Sequence, residues 1–170
     1  ALGGVGEAKT GANYGASLLG QMEAKKNGFS QVLWLDAKEH TYVEEVGTMN
    51  IFFVIGDEVI TSPLTGSILP GITRDSVLNI LRDWGMNVSE RMLSIHDVVK
   101  AAETETLKEI FGTGTAAVIS PVGALSFRDK VYTVGDGKTG ALAQKLFDQI
   151  TGLQYARIED RFGWTERIDL

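Results

Sequence analysis

The stretch Asn50-Ile-Phe-Phe-Val-Ile55, Gly56-Asp57 and Glu58-Val-Ile-Thr61 lies in the first half of the chain. Its two arms are rich in β-branched and aromatic residues, which favour extended structure, and the Gly-Asp pair between them is typical of a tight turn. The stretch therefore predicts a β-hairpin. Because a hairpin joins antiparallel strands, the fold that contains it is not a regular series of parallel βαβ units.

Helical and extended patterns alternate irregularly around this hairpin. Gln31-Val-Leu-Trp-Leu-Asp36 is almost continuously apolar and predicts a buried strand, whereas Gly112-Thr-Gly-Thr115 predicts a turn. Apolar residues at helical spacing predict helices over residues 13–26, 74–84, 95–102 and 139–150. Further extended segments are predicted near residues 44–45, 88–93, 107–111, 116–126 and 130–134. We therefore predict a mixed α/β domain of α+β-like type, with hairpins in its sheet and flanking helices.

The composition excludes several classes of protein. With 170 residues, 44% hydrophobic and 22% charged, the chain is long enough for one domain with a core. A formal net charge of −6 disfavours nucleic-acid binding, and the lack of cysteine excludes disulfides and thiolate metal sites. His40 and His96 lie far apart and predict no metal site. No apolar stretch approaches the roughly 20 residues that span a bilayer and no leader is recognisable, so we expect a cytoplasmic location and no membrane partner.

Lys9 is the residue whose chemistry has two interpretations. Gly3-x-x-x-x-Ala8-Lys9-Thr10 differs by one residue from a nucleotide-binding phosphate loop, and Val32-Leu-Trp-Leu-Asp36 imitates the strand that ends in a magnesium-binding aspartate. Against this interpretation, Ala8 replaces the second glycine, and the chain has no room for the strand that must lead into the loop. In the second interpretation Lys9 is a Schiff-base amine, which needs a carboxylate, a hydroxyl donor and phosphate-binding amides as helpers.

Four segments that occur in order favour the second interpretation. They are Lys9-Thr-Gly-Ala-Asn13-Tyr14, Glu45-Val-Gly-Thr-Met-Asn50-Ile-Phe52, Leu69-Pro-Gly-Ile72-Thr73-Arg74 and Gly112-Thr-Gly-Thr115-Ala116. Together they resemble the signature segments of branched-chain amino-acid aminotransferases, and the resemblance extends over essentially the whole chain. It implies the large C-terminal domain of a fold-type IV pyridoxal-phosphate enzyme, with the fold of D-amino-acid aminotransferase. It also implies that residues 9–170 form the cofactor-binding domain, that residues 1–8 are the remnant of an interdomain linker, and that the smaller N-terminal domain is absent.

The resemblance assigns a role around pyridoxal 5'-phosphate to three residues of the first two segments. Lys9 is the catalytic residue that forms the Schiff base and carries the substrate proton. Tyr14 donates to the phenolic oxygen of the cofactor, and Glu45 contacts its pyridine nitrogen. Glu44 is the alternative carboxylate, but side chains alternate along a strand, so we expect Glu45 to reach the ring and Glu44 to face solvent.

The later segments supply the phosphate and substrate contacts that the resemblance implies. Backbone groups of Ile72 and Thr73, at the start of a helix, bind the phosphate together with Thr115. The backbone of Gly114, Thr115 and Ala116 receives the substrate carboxylate. Leu69 packs against the ring face, and Thr48 lines the cofactor or substrate side.

The resemblance implies a PLP-dependent aminotransferase that moves the amino group of leucine, isoleucine or valine to 2-oxoglutarate, giving glutamate and a branched 2-oxo acid. It also implies a homodimer for the complete enzyme. One alternative is a separated, non-catalytic folding domain, because the implied N-terminal domain would complete the active site. Another is a sister activity of the same fold, D-amino-acid transamination or aminodeoxychorismate cleavage.

Overall fold

The structure is a computed structural model that describes residues 4–168, and its centre is a seven-stranded sheet. The helices are α1 (Gly11–Lys26), α2 (Ile72–Asp83), α3 (Ile95–Glu103) and α4 (Ala141–Gln154). The strands are β1 (Leu33–Leu35), β2 (Val43–Val46), β3 (Met49–Ile55), β4 (Glu58–Thr61), β5 (Asn87–Glu90), β6 (Leu107–Gly114), β7 (Val118–Pro121), β8 (Ala124–Phe127) and β9 (Lys130–Thr133).

The predicted hairpin is confirmed as β3 and β4, with Gly56 at positive φ in the turn between them. Strand β3 is the centre of the sheet, because β2 and β4 pair with it on one edge and β6 pairs along the other. All pairings are antiparallel except that of β4 with β5, which α2 connects. Strands β8 and β9 form a separate hairpin, turned at Arg128-Asp129, where both residues have positive φ. The predicted mixed fold is therefore confirmed.

Both faces of β3 are buried. Ile51 and Phe53 pack in one cluster with α3, whereas Phe52 and Val54 pack in another with α2 and α4. Phe52 stacks on Phe111 of β6, with ring centroids 5.3 Å apart. From Ile51 to Ile55 the strand is continuously apolar, because each side is covered by helices.

Two local predictions are wrong. The segment Gln31–Asp36 is not a buried strand: only Leu33–Leu35 is extended, at the sheet edge, and it is half-buried. The segment Gly112–Thr115 is not a turn, because β6 continues to Gly114 and the turn occupies residues 115–117. A Cβ on Gly112 would lie 2.9 Å from Met49 Cε and 3.0 Å from Val46 Cγ1. Gly112 therefore permits close packing across the sheet and marks no change in chain direction.

Helix α1 is confirmed, but none of its residues is buried. Leu18, Leu19 and Met22 are 58%, 68% and 59% exposed. In contrast, α2 buries Val77, Leu78, Ile80 and Leu81. Within residues 4–168, no helix combines the length and the apolar character that crossing a membrane requires.

Candidate active site

A cavity of about 390 Å³ separates α1 from the edge of the sheet. Tyr14 and Ser17 line it from α1, Glu44 and Glu45 from β2, and Leu69 from the loop before α2. Gly47 and Thr48, in the turn between β2 and β3, lie at the same cavity. The structure therefore brings together Tyr14, Glu45, Thr48 and Leu69, which belong to three separate segments of the sequence.

Lys9 lies two residues before α1 and does not itself line this cavity, although its neighbour Ala8 and its partner Tyr14 do. Its Nζ donates a hydrogen bond to the Tyr14 hydroxyl over 3.1 Å and lies 4.9 Å from the centre of the Tyr14 ring. Asn13 fixes the approach to the helix, since its amide donates to the carbonyls of Val5 and Ala8. The predicted proximity of Lys9 and Tyr14 is confirmed, and it results from five residues of local chain.

Glu44 and Glu45 both line the cavity, which contradicts the prediction that Glu44 faces solvent. The register explains the difference: Trp34 pairs with Glu45 but Leu35 pairs with Val43, so Glu44 is an extra residue in β2. An extra residue of this kind is a β-bulge, which breaks the alternation of side chains along a strand. Glu44 is half-buried and accepts a hydrogen bond from the Ser67 hydroxyl.

The Glu45 carboxyl has an unusual protonation equilibrium. Burial raises the pKa of Glu45 to about 7, and the charge of Glu44 acts in the same direction. A backbone hydrogen bond at Leu69 and the Lys9 ammonium act in the opposite direction on this pKa. Glu45 is therefore a half-buried carboxyl with little compensation of its negative charge, and a cation or an N–H donor in the cavity would stabilise its ionised form.

The start of α2 provides free backbone donors close to Leu69. Gly71 is the N-cap residue and has no side chain that could cap the helix. The amides of the first turn, which include Ile72 and Thr73, therefore have no side-chain acceptor at the N-cap, and free amides of this kind can bind an anion. Neither Ile72 nor Thr73 lines the cavity itself.

Gly114, Thr115 and Ala116 lie where β6 ends, and Thr115 and Ala116 are exposed in the turn before β7. They are not part of the cavity wall. They are connected to it across the sheet, because the preceding residue, Thr113, pairs with Asn50, which pairs with Glu45.

Asn50, which lies within the second of the four ordered segments, is a site residue to which the resemblance assigns no role. It is 5% exposed, and its side-chain amide donates to Glu45 Oε1 over 3.2 Å and to the Leu69 carbonyl over 2.8 Å. An amide inside an otherwise apolar and aromatic strand is the signal that could have found it, since a buried amide requires hydrogen-bond partners.

The nucleotide interpretation of Lys9 has no structural support. Residues 4–7 form a turn and α1 begins only at Gly11, while Gly3 lies outside the described residues. The Asp36 carboxylate accepts hydrogen bonds from the backbone of Glu39, Thr41 and Tyr42, which hold its pKa at about 2. Asp36 therefore stabilises a turn. His40 and His96 are both exposed.

Comparison with known proteins gives consistent results. The pattern of the family "Amino-transferase class IV" matches residues 5–125. Branched-chain-amino-acid aminotransferase 2 of Bacillus subtilis is 54% identical over 166 residues, which cover 98% of this chain and 46% of that protein. The chain thus spans about half the length of this curated relative.

Solved structures of branched-chain amino acid aminotransferases have a fold similar to that of this chain. The branched-chain amino acid aminotransferase of Escherichia coli superposes with a TM-score of 0.81 at 32% identity, covering 96% of this chain and 50% of that one. A second branched-chain amino acid aminotransferase, from T.th., is complexed with N-(5'-phosphopyridoxyl)-L-glutamate. It gives a TM-score of 0.79 at 33% identity, covering 94% of this chain and 50% of that one.

Proposed function

Because the chain belongs to the class IV amino-transferase family, we propose that it is the cofactor-binding part of a branched-chain amino-acid aminotransferase. The proposed reaction transfers the amino group of leucine, isoleucine or valine to 2-oxoglutarate, with pyridoxal 5'-phosphate as cofactor. Two findings support the substrate class and the cofactor: the 54% identity to the Bacillus subtilis enzyme, and the phosphopyridoxyl ligand of the similar T.th. structure.

The observation that carries the proposal is the hydrogen bond from Lys9 to Tyr14 beside a cavity that Tyr14 and Glu45 both line. An amine that donates to a phenol over 3.1 Å, facing a half-buried carboxyl of raised pKa, fits a cationic heteroaromatic ring between them. The ring's pyridinium N–H is the kind of donor that would stabilise the Glu45 carboxylate, whose charge its present partners compensate only in part. The residues present therefore fit the cofactor.

Each residue has a separate task in this arrangement. Bound pyridoxal phosphate supplies an electron sink for the pair left when the substrate α-proton departs. The Lys9 Nζ attaches the cofactor and, once free, holds that proton. Tyr14 accepts the hydrogen bond from Lys9, and its own hydroxyl donates to the phenolic oxygen of the cofactor. Glu45 keeps a proton at the pyridine nitrogen, and Leu69 and Thr48 bound the space for the ring and the substrate.

The anionic groups have two sites in this proposal. The first-turn amides of α2, at Ile72 and Thr73, bind the cofactor phosphate together with Thr115, because free amides and the helix dipole both favour an anion. Gly114, Thr115 and Ala116 offer backbone groups to the substrate carboxylate. We also propose that residues 9–170 form the cofactor domain and residues 1–8 a linker, and that the whole protein is a cytoplasmic homodimer.

Labelling tests the cofactor assignment directly. The chain is saturated with pyridoxal 5'-phosphate, reduced with borohydride and digested, and the modified peptide is identified by mass spectrometry. We expect the label on Lys9 and its loss in Lys9→Ala, whereas Lys26→Ala, at the other end of α1, leaves it unchanged. A label spread equally over the exposed lysines would contradict the assignment.

A second candidate is a domain that binds the cofactor without turnover, favoured by the 46% of the Bacillus subtilis relative that this chain covers. Activity with leucine and 2-oxoglutarate is measured for the 170-residue chain and for the full product of its gene. Turnover only by the full product supports this candidate, and turnover by the chain alone contradicts it.

D-Alanine and aminodeoxychorismate in the same assay test the sister activities, and preference for either over leucine would contradict the branched-chain proposal.

A further inference from the structure

One row of side chains crosses the sheet at the candidate site. Trp34, Glu45, Asn50, Thr113 and Ile119 lie directly opposite one another on β1, β2, β3, β6 and β7. Directly paired residues direct their side chains to the same face of a sheet. Asn50 therefore lies between Glu45, at the cavity, and the interior of the sheet.

The Asn50 carboxamide contacts both halves of the proposed cofactor site. Its side-chain nitrogen donates to two acceptors, Glu45 Oε1 at 3.2 Å and the Leu69 carbonyl at 2.8 Å. Its oxygen lies against Gly71, the N-cap of α2, where an added Cβ would clash with Asn50 Oδ1. One rigid planar group thus touches the carboxylate, the loop that lines the cavity, and the start of the helix.

The position of Asn50 explains why residue 71 is a glycine and why Asn50 is held more firmly than Glu45. Gly71 has a φ of −67°, which any residue can adopt, so its lack of a side chain is required by the Asn50 carboxamide and not by the backbone. Strand β3 is buried on both faces, and its apolar partners hold Asn50 in place. Glu45, by contrast, lines the cavity and is only half-buried.

We propose that Asn50 is a positioning residue, which fixes the Glu45 carboxylate and the N-terminus of α2 relative to each other. The inference rests on the proposed function, because these two elements bind opposite ends of the same cofactor only if the cofactor is pyridoxal phosphate. It predicts that losing Asn50 affects the ring contact and the phosphate contact together. Losing Glu45 affects the ring contact alone.

A cofactor-free measurement tests the first half of the proposal. In the isolated chain, the side-chain carboxyl of Glu45 is titrated by carbon-13 NMR in the parent and in Asn50→Leu. We expect the pKa of Glu45 to rise by about 1 unit, because a hydrogen bond to the charged form is lost. Thr61→Val is the control, since it removes a different buried hydrogen bond of the same sheet, from Thr61 Oγ1 to the Ile51 carbonyl. An unchanged Glu45 titration in Asn50→Leu contradicts the proposal.

The second half is tested by the ratio of the dissociation constants of pyridoxal and pyridoxal 5'-phosphate, measured by fluorescence with the full product of the gene. We expect Asn50→Leu to reduce the preference for the phosphorylated form by about tenfold, the size of one lost interaction with a charged group. Glu45→Gln weakens both ligands and preserves the ratio. If Asn50→Leu and the parent give the same ratio of dissociation constants, the proposal that Asn50 positions the N-terminus of α2 is wrong. If the parent binds neither ligand, the proposed function fails while the titration still decides the contact with Glu45.

Discussion

Helices α1 and α2 both begin beside the candidate site, but they differ in how they pack on the rest of the domain: α2 has buried side chains and α1 has none. Helix α2 buries four aliphatic side chains and the Arg74 guanidinium, which donates to the Ser62 carbonyl and to Glu90. Helix α1 buries no residue, has glycine at positions 11, 15 and 20, and lacks a side-chain cap at Thr10. Lys9 therefore precedes a helix that buries none of its residues, whereas the proposed phosphate donors Ile72 and Thr73 begin a helix that is packed into the core.

The contact between α1 and the sheet is narrow. The Trp34 ring lies against Gly20, where a Cβ would come within 3.1 Å, and Trp34 Nε1 donates to the Gly47 carbonyl over 2.9 Å. Without packing of an apolar face, an isolated helix of 16 residues is marginally stable in water. The position of Lys9 relative to Glu45 thus depends on an element whose local stability is lower than that of the sheet.

The largest difference in stability between the two helices is expected when one leucine in each is truncated to alanine. Leu78→Ala in α2 removes a side chain that is 2% exposed, and should lower the free energy of unfolding by about 3 kcal/mol. Leu19→Ala in α1 removes one that is 68% exposed, and should change it by less than about 0.5 kcal/mol. Urea denaturation of the two variants measures the difference. Equal losses would show that α1 is packed as tightly as α2.

An intermediate effect on stability is expected from the ionisation of Glu45, whose carboxyl lies at the cavity beside α1. The pKa of Glu45 is raised from 4.5 in the unfolded chain to about 7 in the fold, so the native state binds more protons between these values. Stability should therefore fall as pH rises from 4.5 to about 7, by about 1 to 2 kcal/mol after allowance for partial exposure. Glu45→Gln should lose this part of the pH dependence, whereas the exposed Glu39→Gln should retain it. Parallel curves of unfolding free energy against pH for the parent and Glu45→Gln would refute the burial of this carboxyl.

The smallest effect comes from strengthening α1 without changing α2. A Cβ on Gly15 meets nothing within 4 Å, so Gly15→Ala should stabilise α1 by about 0.5 to 1 kcal/mol through helix propensity and reduced chain entropy. Gly20→Ala meets the Trp34 ring at 3.1 Å, and its gain should be smaller. Amide hydrogen exchange measures the protection of α1 against that of α2 in each variant. Identical protection in the two variants would mean that the Trp34 contact does not restrict α1.

The hairpin, α2 and the proximity of Lys9 to Tyr14 could be predicted because each depends on residues close in sequence. Turn residues between β-branched arms and a lysine five positions before a tyrosine are local features. The class IV assignment likewise follows from ordered segments, and the comparisons confirm the resemblance to branched-chain aminotransferases and the fold it implied. The individual residue roles stay predictions.

Three features could not be predicted, for one common reason. The inward position of Glu44 depends on a bulge against β1, and the role of Gly112 depends on Met49 and Val46 of other strands. The exposure of Leu18, Leu19 and Met22 depends on which surface covers α1, and a helical period predicts an apolar face without naming its partner.

The sequence by itself thus determined the family, most of the order of the elements and the adjacency of Lys9 and Tyr14, because hydrogen bonds and periodicity within one element act over a few residues. Only the tertiary structure brought Glu45, Asn50 and Leu69 together beside one cavity and raised the pKa of Glu45. Burial and register depend on strands and loops that are distant in sequence, so no local pattern contains them.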